Sequence, residues 1–173
     1  MAREDLVEMT SDKVVKLTPR GVVLAEGMVR RHRLAERMVV DLLGLELYKA
    51  HAEAHRLEHA ISPELEAKIR ERLGNPATCP FGRPIPGSGH APPQVTRVAL
   101  DQAQPGIPYC VDRIPEENPE LLRFLVEQAI LPEEMVTVME ASRHRGVITI
   151  KTRKGEGTLG YAVASRIWVH LGG

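Results

Sequence analysis

At 173 residues and 19.2 kDa, with 43% hydrophobic residues, the chain is long enough for one average domain or two small ones, which excludes intrinsic disorder as its main state. Twenty-three Lys and Arg balance 23 Asp and Glu, so a polybasic nucleic-acid sleeve, a cationic membrane binder and an acidic tail are all disfavoured. No run approaches the ~18 apolar residues of a membrane span, and the Met-Ala-Arg-Glu-Asp start lacks the apolar core of a secretory signal. The expectation is a cytoplasmic protein without a membrane partner. Its two thiols, Cys79 and Cys110, stand far apart outside any CxxC motif and are read as reduced. Aromatics at 3% leave little for stacking single-stranded nucleic acid.

In chain order, residues 6–18 alternate apolar and polar positions around Thr10-Ser11-Asp12-Lys13, a short β-hairpin. Thr18-Pro19 supplies an N-cap followed by proline at the first helical position, and Leu24, Met28, Leu34, Met38 and Leu42 continue one long helix over 19–43, closed by Gly44. The breaker-free run 45–60 is a second helix, and Ser62-Pro63 opens a third that Gly74 ends. Prolines and glycines then crowd residues 75–93 and deny regular structure, which marks a linker. Beyond it come short β-rich runs at 95–100, 109–114, 135–139, 147–152 and 167–169, interrupted by a helix that Asn118-Pro119 opens and that runs to Ala129. Strands at this spacing suggest a small antiparallel barrel carrying one helix, with Lys154-Gly155-Glu156-Gly157 as a strand-connecting turn. The fold class is α+β: a hairpin (1–18), a helical domain (19–74), a Pro/Gly-rich linker (75–94) and a barrel (95–173).

Four of the seven histidines fall between His32 and His59, where chance places about one. On the second helix His51, His55, Glu58 and His59 lie at about 0°, 40°, 340° and 80° around the axis, one stripe of three imidazoles and a carboxylate. The long helix adds His32 and Glu36, one turn apart. Imidazole with carboxylate suits divalent first-row metals, and ligands from two packed helices can converge. The competing reading is a solvated helix face, its acids paired with Arg31, Arg33, Arg37 and Arg56 for less than ~1 kcal/mol each. A crowded imidazole stripe is poor core material unless something coordinates it, which favours metal binding. There is no HExxH, no ExxH pair of the di-iron kind, no GxSxG and no phosphate-binding glycine loop, so no catalytic residue is assigned and the chain is not read as an enzyme.

Arg30-Arg31-His32-Arg33-Leu34-Ala35-Glu36-Arg37, Asp41-Leu42-Leu43-Gly44-Leu45, His51-x3-His55-x2-Glu58-His59 and Cys79-Pro80-Phe81-Gly82-x-Pro84-Ile85-Pro86-Gly87, in that order, resemble the diphtheria toxin repressor family of iron- and manganese-dependent transcriptional regulators. Residues 6–87 resemble that family's wing, dimerisation helices and linker. Residues 95–171 are more loosely similar to its SH3-like FeoA-type domain. The resemblance implies an ancillary site at His32, Glu36 and His51, and a primary site to which His55, Glu58 and His59 contribute. Glu117 and Glu120 are the nearest candidates for a ligand lent by the barrel. It implies Fe(II) or Mn(II), with Co, Ni or Zn substituting in vitro, and a homodimer that binds operator DNA in the intact family. Position 55 is His where iron sensors usually carry Cys and manganese sensors a carboxylate.

The family's DNA-reading helix-turn-helix, with one primary-site ligand, is expected before the hairpin and is not in this sequence. Lys13, Lys16 and Arg20 are candidate phosphate contacts of the wing, against the alternative of solvated hairpin charges, so DNA binding by this chain is expected to be weak or nil. The function implied is the metal-sensing and dimerisation part of a metal-dependent repressor. The alternative is a metal chaperone or metalloenzyme using the same ligands.

Overall fold

The computed structural model describes residues 6–90 and 94–172; the Met-Ala-Arg-Glu-Asp start, the Ala91-Pro92-Pro93 stretch of the linker and Gly173 lie outside the described residues. Strands β1 (Val7–Met9) and β2 (Val15–Leu17) pair antiparallel, Val7 opposite Leu17 and Met9 opposite Val15. The Thr18 hydroxyl accepts from the Gly21 N–H at 3.1 Å and so caps α1 (Pro19–Arg37), with proline at its first position. The hairpin lies hard against this turn: a Cβ on Gly21 would sit 2.0 Å from the Leu6 carbonyl oxygen.

The long helix expected over 19–43 is continuous, but its last five residues, Met38–Leu42, widen into a π-helical turn in which the Leu43 N–H donates to the Met38 carbonyl at 3.2 Å. The second helix is shorter than expected: α2 spans Leu47–Leu57, because its cap residue Glu46 is extended, Leu45 lies outside the helix and residues 58–60 turn. In α3 (Pro63–Arg72) the Ser62 hydroxyl accepts from the Leu65 N–H at 3.2 Å. Leu34, Ala35, Ala54 and Ile69 from these helices, with Ile61 between α2 and α3, meet Ile85 in one core.

The Pro/Gly-rich segment has almost no regular pairing beyond a single bridge between Thr78 and Pro84, yet it is packed. Cys79 and Phe81 are fully buried. Arg37 Nε donates to the Thr78 carbonyl at 2.8 Å, Arg33 donates to the Pro84 carbonyl, and the Ile114 N–H reaches the Phe81 carbonyl at 3.1 Å. Gly82, at φ +85°, passes so near β4 (Pro108–Arg113) that a Cβ would lie 1.9 Å from the Asp112 carbonyl oxygen. Residues 75–90 thus form a strap stitched to α1 on one side and to the sheet on the other.

The remaining strands are β3 (Arg97–Ala99), β5 (Met135–Ser142), β6 (Val147–Thr152), β7 (Gly155–Gly160) and β8 (Trp168–Leu171), ordered β3-β8-β4-β5-β6-β7 and antiparallel throughout. α4 (Pro119–Glu127) follows β4, and α5 (Tyr161–Ala164) follows β7. The expected turn at 154–157 is a correction: the turn is Arg153-Lys154, and Gly155 onward is edge strand paired in register with β6, Thr152 opposite Gly155 and Val147 opposite Gly160. A backbone ladder needs no β-branched stripe, so this glycine-rich edge gives little signal in sequence. The sheet's buried Val111, Val138, Ile148 and Ile150 join Leu122 and Leu125 of α4 in a core that also takes in Val39 after α1 and Ala50 of α2. The architecture is α+β, helices and sheet sharing that core. Among the described residues no helix is long and apolar enough to cross a membrane.

Candidate metal centre

Helix α1 presents His32 and Glu36 one turn apart, and the packing of α2 across it brings His51 opposite both. His32 Nε2 lies 2.9 Å from Glu36 Oε1, His51 Nδ1 lies 3.0 Å from the same oxygen, and the two nitrogens are 3.2 Å apart. Adjacent ligands of a six-coordinate ion with ~2.1 Å bonds are separated by about 3.0 Å, so three donor atoms already stand as one face of a coordination polyhedron. Glu36 is fully buried, and its second oxygen, Oε2, has no hydrogen-bond partner. A buried carboxylate oxygen left without a partner is costly, and a cation satisfies it. The donor set therefore fits a divalent metal.

The electrostatics agree. Burial pushes Glu36 upward, but hydrogen bonds from His32 and His51, with the Cys79 thiol close by, overcome it and hold the carboxyl at about 2. His32 has a carboxylate at each ring nitrogen, Glu36 at Nε2 and Glu58 Oε2 at 2.6 Å from Nδ1; burial works against its charge, but the two acids raise its pKa. Cys79 lies beneath Glu36 in the strap, and burial together with the Glu36 charge pushes its thiol well above the usual range. The Phe81 ring meets His51 edge to face, centroids 6.5 Å apart.

Glu58 caps α2 and lies 3.4 Å from both His55 Nδ1 and His59 Nε2, whose side chains are 60% and 70% exposed. His55, Glu58 and His59 are thus neighbours, but only Glu58 is buried. His55 also leans toward the first group: the rings of His32, His51 and His55 form a near-equilateral triangle, centroids 4.7 to 4.9 Å apart. Among the described residues two donor sets lie within 4.8 Å throughout, His32 with His51 and His55, and Glu36 with His51 and Glu116.

The acid that the sheet domain brings to the cluster is Glu116, in the loop before α4, and not the expected Glu117 or Glu120. Glu117 turns to Arg166 at 2.6 Å and Arg83 at 3.8 Å, while Glu120 is exposed on the first turn of α4. Glu116 is held by Arg83 Nε of the strap at 2.6 Å. Neighbouring acids in one loop differ only in the direction the backbone gives them, which the sequence does not signal. Lys13 and Lys16 of the hairpin and Arg20 in the first turn of α1 are exposed, with Lys16 opposite Glu8.

Residues 18–87 match the family described as iron dependent repressor, metal binding and dimerisation domain, and residues 98–171 match the FeoA domain. The iron-dependent repressor IdeR of Mycobacterium leprae is 33% identical over 181 residues, covering 98% of this chain and 78% of that protein. The diphtheria toxin repressor of Corynebacterium glutamicum is 43% identical over 103 residues, 60% of this chain. The chain spans only 42% of the length of that repressor and 38% of the IdeR of Mycobacterium bovis. A manganese-dependent transcriptional repressor solved in complex with manganese superposes with a TM-score of 0.84 at 34% identity, covering 96% of this chain and 78% of that one. With the ordered His and Glu motifs and both domain matches in place, the chain belongs to the diphtheria toxin repressor family of iron- and manganese-dependent regulators.

Proposed function

We propose that this chain is the metal-sensing and dimerisation portion of a divalent-metal-dependent transcriptional repressor, working in the cytoplasm as a homodimer. The observation that carries the reading is the triangle of His32 Nε2, Glu36 Oε1 and His51 Nδ1 with the unpartnered Glu36 Oε2 behind it. These residues would hold the ion, with Glu116 from the sheet domain or His55 from α2 as the next donor, and Glu58 and His59 form the neighbouring candidate site. Bound there, the metal supplies a positive charge linking helices to sheet. The protein's own part is to keep Glu36 ionised and buried, to fix the His32 ring between two acids, and to hold Glu116 through Arg83. A conformation stabilised in this way is favoured by the ion's differential affinity, which is how a metal signal would reach operator DNA in a complete repressor. Lys13, Lys16 and Arg20 would touch phosphate, carrying little base information.

The chaperone or metalloenzyme alternative is not favoured: the relatives are named repressors. Calorimetric titration with manganese and cobalt tests the site. Wild type should bind, while His32→Ala and Glu36→Gln should each weaken binding more than about tenfold. Unchanged affinity in both variants would overturn the reading.

A further inference from the structure

We infer that the cavity between the strap and the sheet is a second ligand site, which takes a small organic carboxylate with an apolar body, its head on Arg113 and His170.

The cavity encloses about 370 Å³, and none of the residues grouped around Glu36 lines it. That volume suits a small molecule. On the sheet side, Arg97 of β3, His170 of β8 and Cys110 of β4 stand opposite one another across the ladder, alternating with the buried Val169 and Val111. After Val111 the register between β4 and β8 shifts, and Asp112 and Arg113 both reach the cavity. Bulges re-aim side chains in this way, often beside functional sites. Ala77 and Pro84 of the strap, with Pro132 before β5, add apolar walls.

The charges that face the cavity leave one demand unmet. Arg97 and Asp112 satisfy each other, Nε to Oδ2 at 2.8 Å, while Glu133 and His90 are exposed. Burial and the charges of Glu133 and Asp112 push the Cys110 thiol upward, so it enters as a neutral wall. Arg113 lies over the Trp168 ring, its guanidinium carbon 5.3 Å from the centroid, and its buried Nε has no hydrogen-bond partner among the described residues. His170 Nδ1 is buried and unpartnered as well, with Asp112 Oδ1 3.8 Å away. A buried donor left without an acceptor is costly, and solvent does not reach either nitrogen to supply one. A carboxylate entering the cavity accepts from a guanidinium in two parallel bonds once the partly exposed Arg113 side chain turns toward it, and from His170 when Nδ1 carries a proton. An inorganic oxyanion would meet the same nitrogens but leave the alanine and proline walls uncovered. Those walls select an acid with a hydrocarbon body.

The test is calorimetric titration of the full chain with 4-methylpentanoate, its neutral amide and inorganic phosphate. The acid should bind once per chain, at least about tenfold tighter than either the amide or phosphate, as loss of a charge-assisted hydrogen bond implies. Arg113→Gln should weaken the acid by at least about tenfold, and Arg113→Lys, which keeps the charge without the fork, should fall between that variant and wild type. Ala77→Leu narrows the cavity from the strap side and should weaken the acid and the amide together. Lys151→Ala, exposed on β6, is the control and should match wild type. A urea midpoint for each variant separates lost binding from lost folding. If the acid shows no saturable binding at millimolar concentration, or the amide or phosphate binds as tightly, the inference falls. It falls equally if folded Arg113→Gln and Ala77→Leu both keep the wild-type affinity.

Discussion

Replacing Gly82 with Ala separates two costs that are usually confounded. Gly82 and Gly44 both have left-handed backbones, φ +85° and +71°, and an L-residue there costs about 1 to 2 kcal/mol. Around Gly44 nothing lies within 4 Å of an added Cβ, so Gly44→Ala should cost that amount and no more. At Gly82 the added Cβ would lie 1.9 Å from the Asp112 carbonyl oxygen, and because both groups are backbone the strap must lift from β4. Lifting it weakens the Ile114-to-Phe81 hydrogen bond, at 3.1 Å, which contributes about 1 kcal/mol, and partly uncovers Phe81, whose full burial contributes about 2 to 3 kcal/mol. The expected loss is about 3 to 5 kcal/mol in Gly82→Ala against about 1 to 2 in Gly44→Ala. Urea denaturation of the metal-free variants measures the difference. Equal losses would refute the claim that the strap is seated against β4. Because Cys79 and Arg83 travel with the strap, Gly82→Ala should also weaken cobalt binding, whereas Gly44→Ala should not.

Glu36 has its pKa lowered to about 2 from an ordinary 4.5, so its contribution to stability is complete above about 4.5 and is lost as pH falls toward 2. His32 is shifted upward from 6.5, so its contribution is complete below 6.5 and fades as pH rises through the raised value. The metal-free protein should be most stable between these limits, and Glu36→Gln should flatten the acid side; a urea midpoint constant from pH 5 to 3 would contradict this. Val23 and Leu43, 68% and 70% exposed on and beyond α1, leave apolar surface for a second copy, so sedimentation at micromolar concentration should give twice the 19.2 kDa mass, and a monomer would count against it. DNA binding by the 173-residue chain alone should be weak, indifferent to sequence and lost by ~200 mM salt; a footprint on one promoter surviving that salt would show that the hairpin or helices read bases.

Elements that begin with a side-chain oxygen followed by proline were legible in the sequence: Thr18-Pro19, Ser62-Pro63 and Asn118-Pro119 each open a helix whose cap hydrogen bond is made. So was the juxtaposition of His32 with Glu36 and of His51 with His55, because four-residue spacing fixes a helix face whatever the tertiary structure. Which ring meets which across the crossing of α1 and α2 is not local information. Helical spacing put His51, His55, Glu58 and His59 on one stripe and the family resemblance grouped His55 with Glu58 and His59, while the crossing also brings its ring beside His32 and His51. The strap was hidden for a similar reason. Its prolines rule out helix and ladder, but burial of Cys79 and Phe81 depends on surfaces that residues far along the chain supply.

The core that joins Val39 and Ala50 to the sheet has a consequence for how variation acts on metal affinity. Ala50 precedes His51 directly, and Val39 follows Glu36 by less than one turn, so the backbone that aims two of the donors borders a core, shared with α4 and the sheet, whose side chains touch no ion. A flaw in the sheet, such as truncation of Ile148 or Ile150, would loosen that core and register as weaker metal binding, though every ligand remained in place. Mutational drift in the sheet would therefore be filtered through the sensitivity of the sensor, tying residues on separate elements to one selectable trait.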